Sequence, residues 1–213
     1  MELNAAPLAP DPPARVLDVG AGTGFLSILL AQQRYVVSAL DLSAGMLGRL
    51  EEKARVAALE VDIVQADAED PPVTGFDAVV ERHLLWTLPD PEAALEAWHR
   101  SAVGGRLLLL ESLWGGTGGE TTVRLRRAGH AALRRLRGQA PDHHAEYDAD
   151  LRAQLPLGGG TTPERLVSMV EASSWGPVRA ERLWDVEWAT RRALPSVLDR
   201  LVGVAPRFAL VAG

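Results

Sequence analysis

The sequence predicts an α/β domain built on a doubly wound, mostly parallel sheet, and three observations carry that expectation. Short apolar runs of strand character alternate with helical patterns, as in sheets covered on both faces. The first run passes into a helix through three closely spaced glycines, "RVLDVGAGTGFLSILLA". The alternation then resumes near the end of the chain after a long irregular stretch.

Four prolines before Arg15 in "MELNAAPLAPDPPA" leave no room for a useful helix and make an extended lead-in. Strands are expected at 16–19, 36–40, 62–65, 76–80 and 106–110, with helices at 25–33, 43–57 and 91–100 between them. Ser43 suits an N-cap, and Pro91 suits the first helical position after Asp90. After Glu111 the pattern breaks: "LWGGTGGE" reads as a hinge, 122–137 as an arginine-rich helical stretch, and "GQAPDHHAEYDADLRAQLPLGGG" as irregular. An insertion of this length usually has a function. A helix at 163–172, a strand at 178–188, a helix at 191–202 and a last strand at 207–211 complete the pattern. In the 178–188 strand, Trp184, Val186 and Trp188 are expected on one face, with Asp185 and Glu187 on the other.

A length of 213 residues with 47% hydrophobic content suits a single domain over 1–213, with 112–160 inserted within it. There is no apolar run of membrane-spanning length and no signal-like N-terminus, so a cytoplasmic protein is expected. The lack of cysteine removes disulfides and thiolate metal sites, and no metal is expected. A net charge of −6 argues against nucleic acid as the main partner. Lys53 is the only lysine, and the Ala/Leu/Arg bias points to a bacterial source.

A glycine turn followed by a helix brings backbone amides close to a ligand and suits several nucleotide cofactors. The spacing discriminates among them. Gly20, Gly22 and Gly24 run G-x-G-x-G, whereas the dinucleotide fingerprint would place its third glycine where Phe25 stands. Asp18 before the turn and Asp67 after the third strand would repel a pyrophosphate but attract a cation. Asp41, at the end of the second strand, is placed for ribose hydroxyls under either reading.

Together, "VLDVGAGTG", "VSALDLSAGML", "VQADAEDPP" and "FDAVVERHLLWTLPDPEAALEAWHRSAVGGRLLLLE" resemble the class I S-adenosylmethionine-dependent methyltransferases. The resemblance covers Arg15 to Glu111 strongly and the final elements more loosely. It implies a Rossmann-like seven-stranded sheet with an antiparallel last strand, and S-adenosyl-L-methionine as cofactor. By that resemblance Gly20, Ala21 and Gly22 line the methionine moiety, Asp18 organises its amino group and Asp41 binds the ribose. Leu42 and Met46 pack on the adenine, Asp67 and Ala68 meet its edge, and Arg82 borders the pocket. Leu42 and Met46 could equally be core residues, and Asp67 a turn former. Members of the family commonly carry a helical segment that closes over the cofactor. Here fourteen proline-rich residues precede Arg15, so either the start is truncated, or a partner subunit or the acceptor closes the site, and weak, solvent-exposed binding is the expectation for this chain.

Methyl transfer is an in-line displacement, accelerated largely by holding donor and acceptor at attack distance. A histidine helps where the acceptor must lose a proton. His83, just beyond the fourth strand, is the first candidate base; its alternative is a pocket-shaping role beside Arg82. Trp86 and Trp114 flank the same edge, as acceptor platforms or as packing. In "DHHAEYD" the adjacent histidines do not share a helix face, so a lid over the acceptor is expected rather than a metal site, with His143 or Tyr147 reaching in. The six arginines from Arg124 to Arg137 alternate with apolar residues at helical spacing and read as a solvated face.

The function expected is methyl transfer to a small-molecule acceptor through oxygen, nitrogen or carbon, with no nucleic-acid or membrane partner; a homodimer is compatible with it. Nucleic-acid amino-methylating members of the family carry an Asn/Asp-Pro-Pro-aromatic run where this chain reads "ERHLLW". A non-catalytic S-adenosylmethionine-binding protein and a nicotinamide-dependent oxidoreductase are the alternatives.

Overall fold

The computed structural model describes residues 10–112, 114–115, 129, 153–194 and 204–213. Seven strands form one sheet: β1 (Arg15–Val19), β2 (Val36–Asp41), β3 (Asp62–Gln65), β4 (Ala78–Arg82), β5 (Arg106–Ser112), β8 (Val178–Arg182) and β9 (Arg207–Ala212). Their spatial order is β3-β2-β1-β4-β5-β9-β8. The pairs among β1 to β5 are parallel, while β9 runs antiparallel to both β5 and β8. The antiparallel last strand expected from the sequence therefore lies inside the sheet, between two strands of the opposite sense. A short antiparallel pair, β6 (Trp114–Gly115) with β7 (Gly160–Thr161), lies beyond β5.

Helices α1 (Phe25–Gln32), α2 (Ala44–Val56) and α3 (Pro91–Ser101) connect the parallel strands, and a single 3₁₀ turn (Leu85–Thr87) follows β4. The helices α4 (Pro163–Glu171) and α5 (Trp184–Ala193) flank β8 in the chain. Local chemistry fixes the helix starts. Ser43 accepts from the Met46 amide at 3.3 Å, and Asp90 accepts from the Ala93 amide at 2.9 Å with Pro91 behind it. Thr162 caps α4 in the same way, ahead of Pro163.

β1, β2, β4 and β9 are buried on both faces, which explains their near-continuous apolar runs, with Val16, Leu17, Leu40, Val79 and Leu210 closed to solvent. By contrast, β5 buries Leu107 and Leu109 on one face and leaves Leu108 and Leu110 half-buried on the other. On α3, Ala94, Leu95, Ala97, Trp98 and Ser101 recur at helical spacing and face that core. Trp98 is fully buried and donates its Nε1–H to the Ala68 carbonyl at 2.7 Å, so its polar tip is satisfied. Truncating it to alanine is expected to cost about 3 to 5 kcal/mol.

Two expectations are corrected. The fourth strand begins at Ala78 and runs through Arg82, two residues later than the apolar pattern suggests at both ends. Glu81 and Arg82 stay in the ladder because their backbones pair with Val19 of β1 and Leu110 of β5, whatever their side-chain polarity.

The second correction concerns 178–188, where β8 ends at Arg182 and "WDVEWATRRA" is helix. Alternation of W-D-V-E-W fits period two, but Trp184 and Trp188 are also one helical turn apart, and both lie on an exposed face. A tertiary contact decides between the two periods. Arg182 grips Glu187 through Nε and Nη2, both at 3.0 Å, and Glu187 Oε1 also accepts from the Arg207 amide at 2.8 Å. That contact folds the chain back at Leu183, whose amide bonds to Arg207 O. Of the expected 191–202 helix, 191–193 belong to α5 and 195–202 lie outside the described residues.

Candidate functional site

Strand order reverses between β1 and β4, and at such a point an open α/β sheet leaves a crevice beyond the carboxyl ends of its strands. The glycine turn lies there. Gly22 has φ +55°, and among the described residues a Cβ placed on it would meet only Gly20 O at 4.0 Å, so there is room beside this backbone. Gly24 has φ +82° for a different reason: a Cβ there would lie 2.5 Å from Leu50 Cγ. It lets α1 approach α2. The third glycine therefore serves helix packing, and the open cradle is at Gly22.

Asp41 ties the turn to the second strand. Its Oδ2 accepts from the Gly22 amide and its Oδ1 from the Ser43 amide, each at 2.8 Å. Each carboxylate oxygen keeps a further acceptor site for an incoming hydroxyl. Ala21 N–H bonds to Leu40 O at 2.9 Å, and Lys53 Nζ donates to Thr23 O at 2.8 Å, which fixes the rest of the loop.

Asp18 is 2% exposed and faces the first turn of α1, where it accepts from the Ser27 hydroxyl. Burial pushes its carboxyl up to about 6, against the opposing pull of the Ser27 hydrogen bonds and the Arg82 charge, while the Asp41 charge adds to the rise. Arg82 lies with its guanidinium 4.5 Å from the centre of the Phe25 ring, so it covers the mouth of the turn from the β4 side.

Leu42 and Met46, 69% and 41% exposed, stand outside the core and offer apolar surface beside Asp41. Asp67 is exposed and does form a turn, its Oδ1 accepting from the Glu69 amide at 2.9 Å. Ala68 is buried and holds Trp98 through its carbonyl. Gly20, Ala21, Gly22, Asp41, Leu42 and Met46 thus gather around the turn and the β2–α2 junction. Asp67 and Ala68 lie at the end of the neighbouring β3.

His83 follows β4 directly. Its backbone has φ +61°, a left-handed conformation unfavourable for a residue with a Cβ. Its Nδ1 lies 3.2 Å from Glu111 Oε2 and its Nε2 3.4 Å from Ser112 Oγ. The side chain is 34% exposed. Burial and then the Arg82 charge hold the imidazole below its usual range, so it is neutral at neutral pH.

Glu81 and Glu111 are the residues that sequence reasoning missed. Glu81 is fully buried and Glu111 is 1% exposed. Glu81 Oε2 accepts from the Leu84 amide at 2.8 Å, but Oε1 of each carboxyl has no hydrogen-bond partner among the described residues. Both are held above the carboxylate range, Glu81 by burial and by repulsion from Glu111, Glu111 chiefly by burial. The signal was present in "AVVERH" and "LLLLES", where an acid closes an apolar run at the same end of two neighbouring central strands.

His143 and Tyr147 lie outside the described residues, as do the arginine-rich stretch, apart from Gly129, and most of the 112–160 insertion. Trp86 is half-buried in the 3₁₀ turn, and the backbone of Trp114 pairs with Thr161. Among the described residues no helix is long and apolar enough to cross a membrane.

A reversing parallel sheet with a glycine cradle, an acid anchored at the end of β2 and exposed apolar side chains beside it is an arrangement that could hold an adenosine-bearing cofactor. Residues 17–109, a little under half of the chain, match the methyltransferase domain family. A ubiquinone biosynthesis O-methyltransferase of Xylella fastidiosa is 38% identical over 102 residues, 45% of this chain and 41% of that protein. A demethylmenaquinone methyltransferase of Thermus thermophilus is 38% identical over 105 residues, 46% of this chain and 47% of that protein. This chain therefore spans less than half the length of either relative. The fold is shared with the magnesium protoporphyrin IX methyltransferase of Synechocystis PCC 6803, solved with bound SAH, at TM-score 0.56 and 17% identity over 93% of this chain and 74% of that one.

Proposed function

We infer that this protein transfers a methyl group from S-adenosylmethionine to a small-molecule acceptor. The observation that carries the reading is the Gly22–Asp41 unit: an open, positively twisted backbone cradle hydrogen-bonded to a carboxylate that still has acceptor sites to offer. A nucleoside with a cationic tail fits this donor set, because Asp18, Asp41 and Asp67 supply negative charge around the turn and a diphosphate would be repelled. The two quinone-pathway relatives support a small acceptor.

Asp41 would take the ribose hydroxyls, Leu42 and Met46 the adenine faces, and Asp67 with Ala68 the adenine edge. Gly20, Ala21 and Gly22 would line the methionine moiety, and Asp18 would stabilise its ammonium from beneath the turn, with Arg82 at the mouth. When bound, S-adenosylmethionine supplies a methyl group already activated on a positive sulfur. The chain's own task is to exclude water and aim the acceptor. His83, at the carboxyl edge of β4, is the residue placed to receive a proton from that acceptor.

On its sequence, the 112–160 insertion, most of which lies outside the described residues, would serve as the lid of a single cytoplasmic domain, and His143 or Tyr147 would be its acceptor-side candidates. Incubating the protein with methyl-labelled S-adenosylmethionine and a small-molecule extract of its producing organism tests the reading. Label is expected in low-mass products, and much less of it with Asp41→Ala at a limiting concentration of S-adenosylmethionine. Tight binding of a reduced nicotinamide cofactor together with no transfer would overturn it.

A further inference from the structure

Two buried acids and a histidine stand together where β4 and β5 end, and the reading above uses only the histidine. We propose that Glu111 is the positioning residue for His83: its ionised carboxylate accepts a hydrogen bond from Nδ1–H and leaves the Nε2 lone pair open to an acceptor's proton, and its protonated form donates to Nδ1 instead and leaves the ring proton on Nε2. The inference rests on the methyl-transfer reading and deepens it, since a base of this kind serves acceptors that must shed a proton, such as a hydroxyl or an ammonium.

The geometry carries it. Glu111 Oε2 is 3.2 Å from His83 Nδ1. The His83 amide donates a hydrogen bond to Leu110 O at 3.3 Å, which holds its backbone, at φ +61°, against the end of β5. Among the described residues the opposite ring nitrogen meets only the long 3.4 Å contact to Ser112 Oγ, on a side chain that is 34% exposed. A hydrogen bond that long is easily displaced by an entering acceptor.

Which acid ionises follows from the neighbours. Among the described residues, the charged and titratable groups facing the pair are Glu81 and Arg82 from β4, His83 just after it, and Arg207 from β9, paired to Ser112. Two buried carboxylates side by side cannot both ionise cheaply. Glu81 is wholly enclosed and pushed up by Glu111, so it keeps its proton. Burial pushes Glu111 up to about 8, against the pull of a backbone hydrogen bond at Ser112 and of the Arg82 charge, so of the two acids it is the one that ionises as pH rises.

Proton accounting then gives two states. With Glu111 protonated, its O–H donates to Nδ1, the imidazole carries its proton on Nε2, and that nitrogen can only donate, toward Ser112. With Glu111 ionised, the imidazole carries its proton on Nδ1 and the Nε2 lone pair is free. The acceptor's proton moves to Nε2, and Glu111 balances the resulting imidazolium until the proton passes to solvent.

The test uses the full chain labelled with ¹⁵N-histidine, without cofactor or acceptor, scanned from about pH 5 to about pH 10. His83→Asn, a residue that tolerates a left-handed backbone, identifies the His83 signals among five histidines. The expected result is a reversal of the protonated ring nitrogen, from Nε2 to Nδ1, as pH rises, with no such reversal in Glu111→Gln. The same tautomer throughout the wild-type scan would overturn the proposal, and this holds even where the glutamine variant does not fold. An unchanged reversal in folded Glu111→Gln would overturn it too. Calorimetry with S-adenosylmethionine tests the methyl-transfer reading separately, because the histidine spectra need no cofactor.

Discussion

The amide of Gly22 and the carboxylate of Asp41 are joined at 2.8 Å, so the shape of the glycine turn and the position of the acid on the neighbouring strand are one variable. A change in either residue is felt by both. This makes Asp41 more than a ligand: it holds open the loop whose ligand it would also touch.

Asp41→Ala removes a charged acceptor and leaves the Gly22 and Ser43 amides without their partner. A charged hydrogen bond contributes roughly 1.5 to 3 kcal/mol, so S-adenosylmethionine affinity should fall about ten- to a hundredfold. Calorimetric titration of the folded variant measures this. Unchanged affinity would remove the assignment.

Gly22 and Gly24 separate binding from stability. Gly24→Ala meets Leu50 and should lower unfolding free energy by about 1 to 3 kcal/mol, read from urea denaturation. Gly22→Ala has room for its methyl and carries only backbone strain of about 1 kcal/mol, but that methyl enters the open cradle. It should lose more cofactor affinity than stability.

Asp18 makes stability depend on pH with a definite sign. Its carboxyl rises from 3.8 to about 6 on folding, so its contribution is complete below pH 3.8 and is lost as pH climbs through 6. Above that the buried charge costs on the order of 3 kcal/mol. Asp18→Asn should therefore be more stable than the parent at pH 8 and gain nothing below pH 4, in paired denaturation curves. A constant difference across that range would contradict the burial argument.

Glu187→Ala frees the Arg207 amide and releases Arg182 from its grip at the end of β8. Arg182 is 43% exposed, so solvent screening reduces the ion-pair part, and the net loss should be about 1 to 2 kcal/mol. Thermal melting checks this. Arg182→Ala should cost less, because Glu187 keeps the Arg207 amide.

Much of the fold was legible because buried parallel strands and capped helices leave local marks: Ser43, Asp90 and Pro91 lie where a helix start needs them. What was not legible depended on distant partners. Nothing local in "WDVEWATRRA" announces that Glu187 will meet Arg182 and the Arg207 amide, and those contacts select helix over strand. The site divides in the same way. The Gly22–Asp41 side follows from spacing, whereas the pairing of Glu111 with His83 needs the register of β4 against β5, which no short motif encodes.

Because β9 is threaded between β5 and β8, a nascent chain cannot complete its sheet until residues 207–212 have left the ribosome. Until then β5 and β8 each present a row of unsatisfied amides and carbonyls, a template for mispairing with other chains. Yield in the cell should depend on chaperone supply and growth temperature, however stable the finished molecule is.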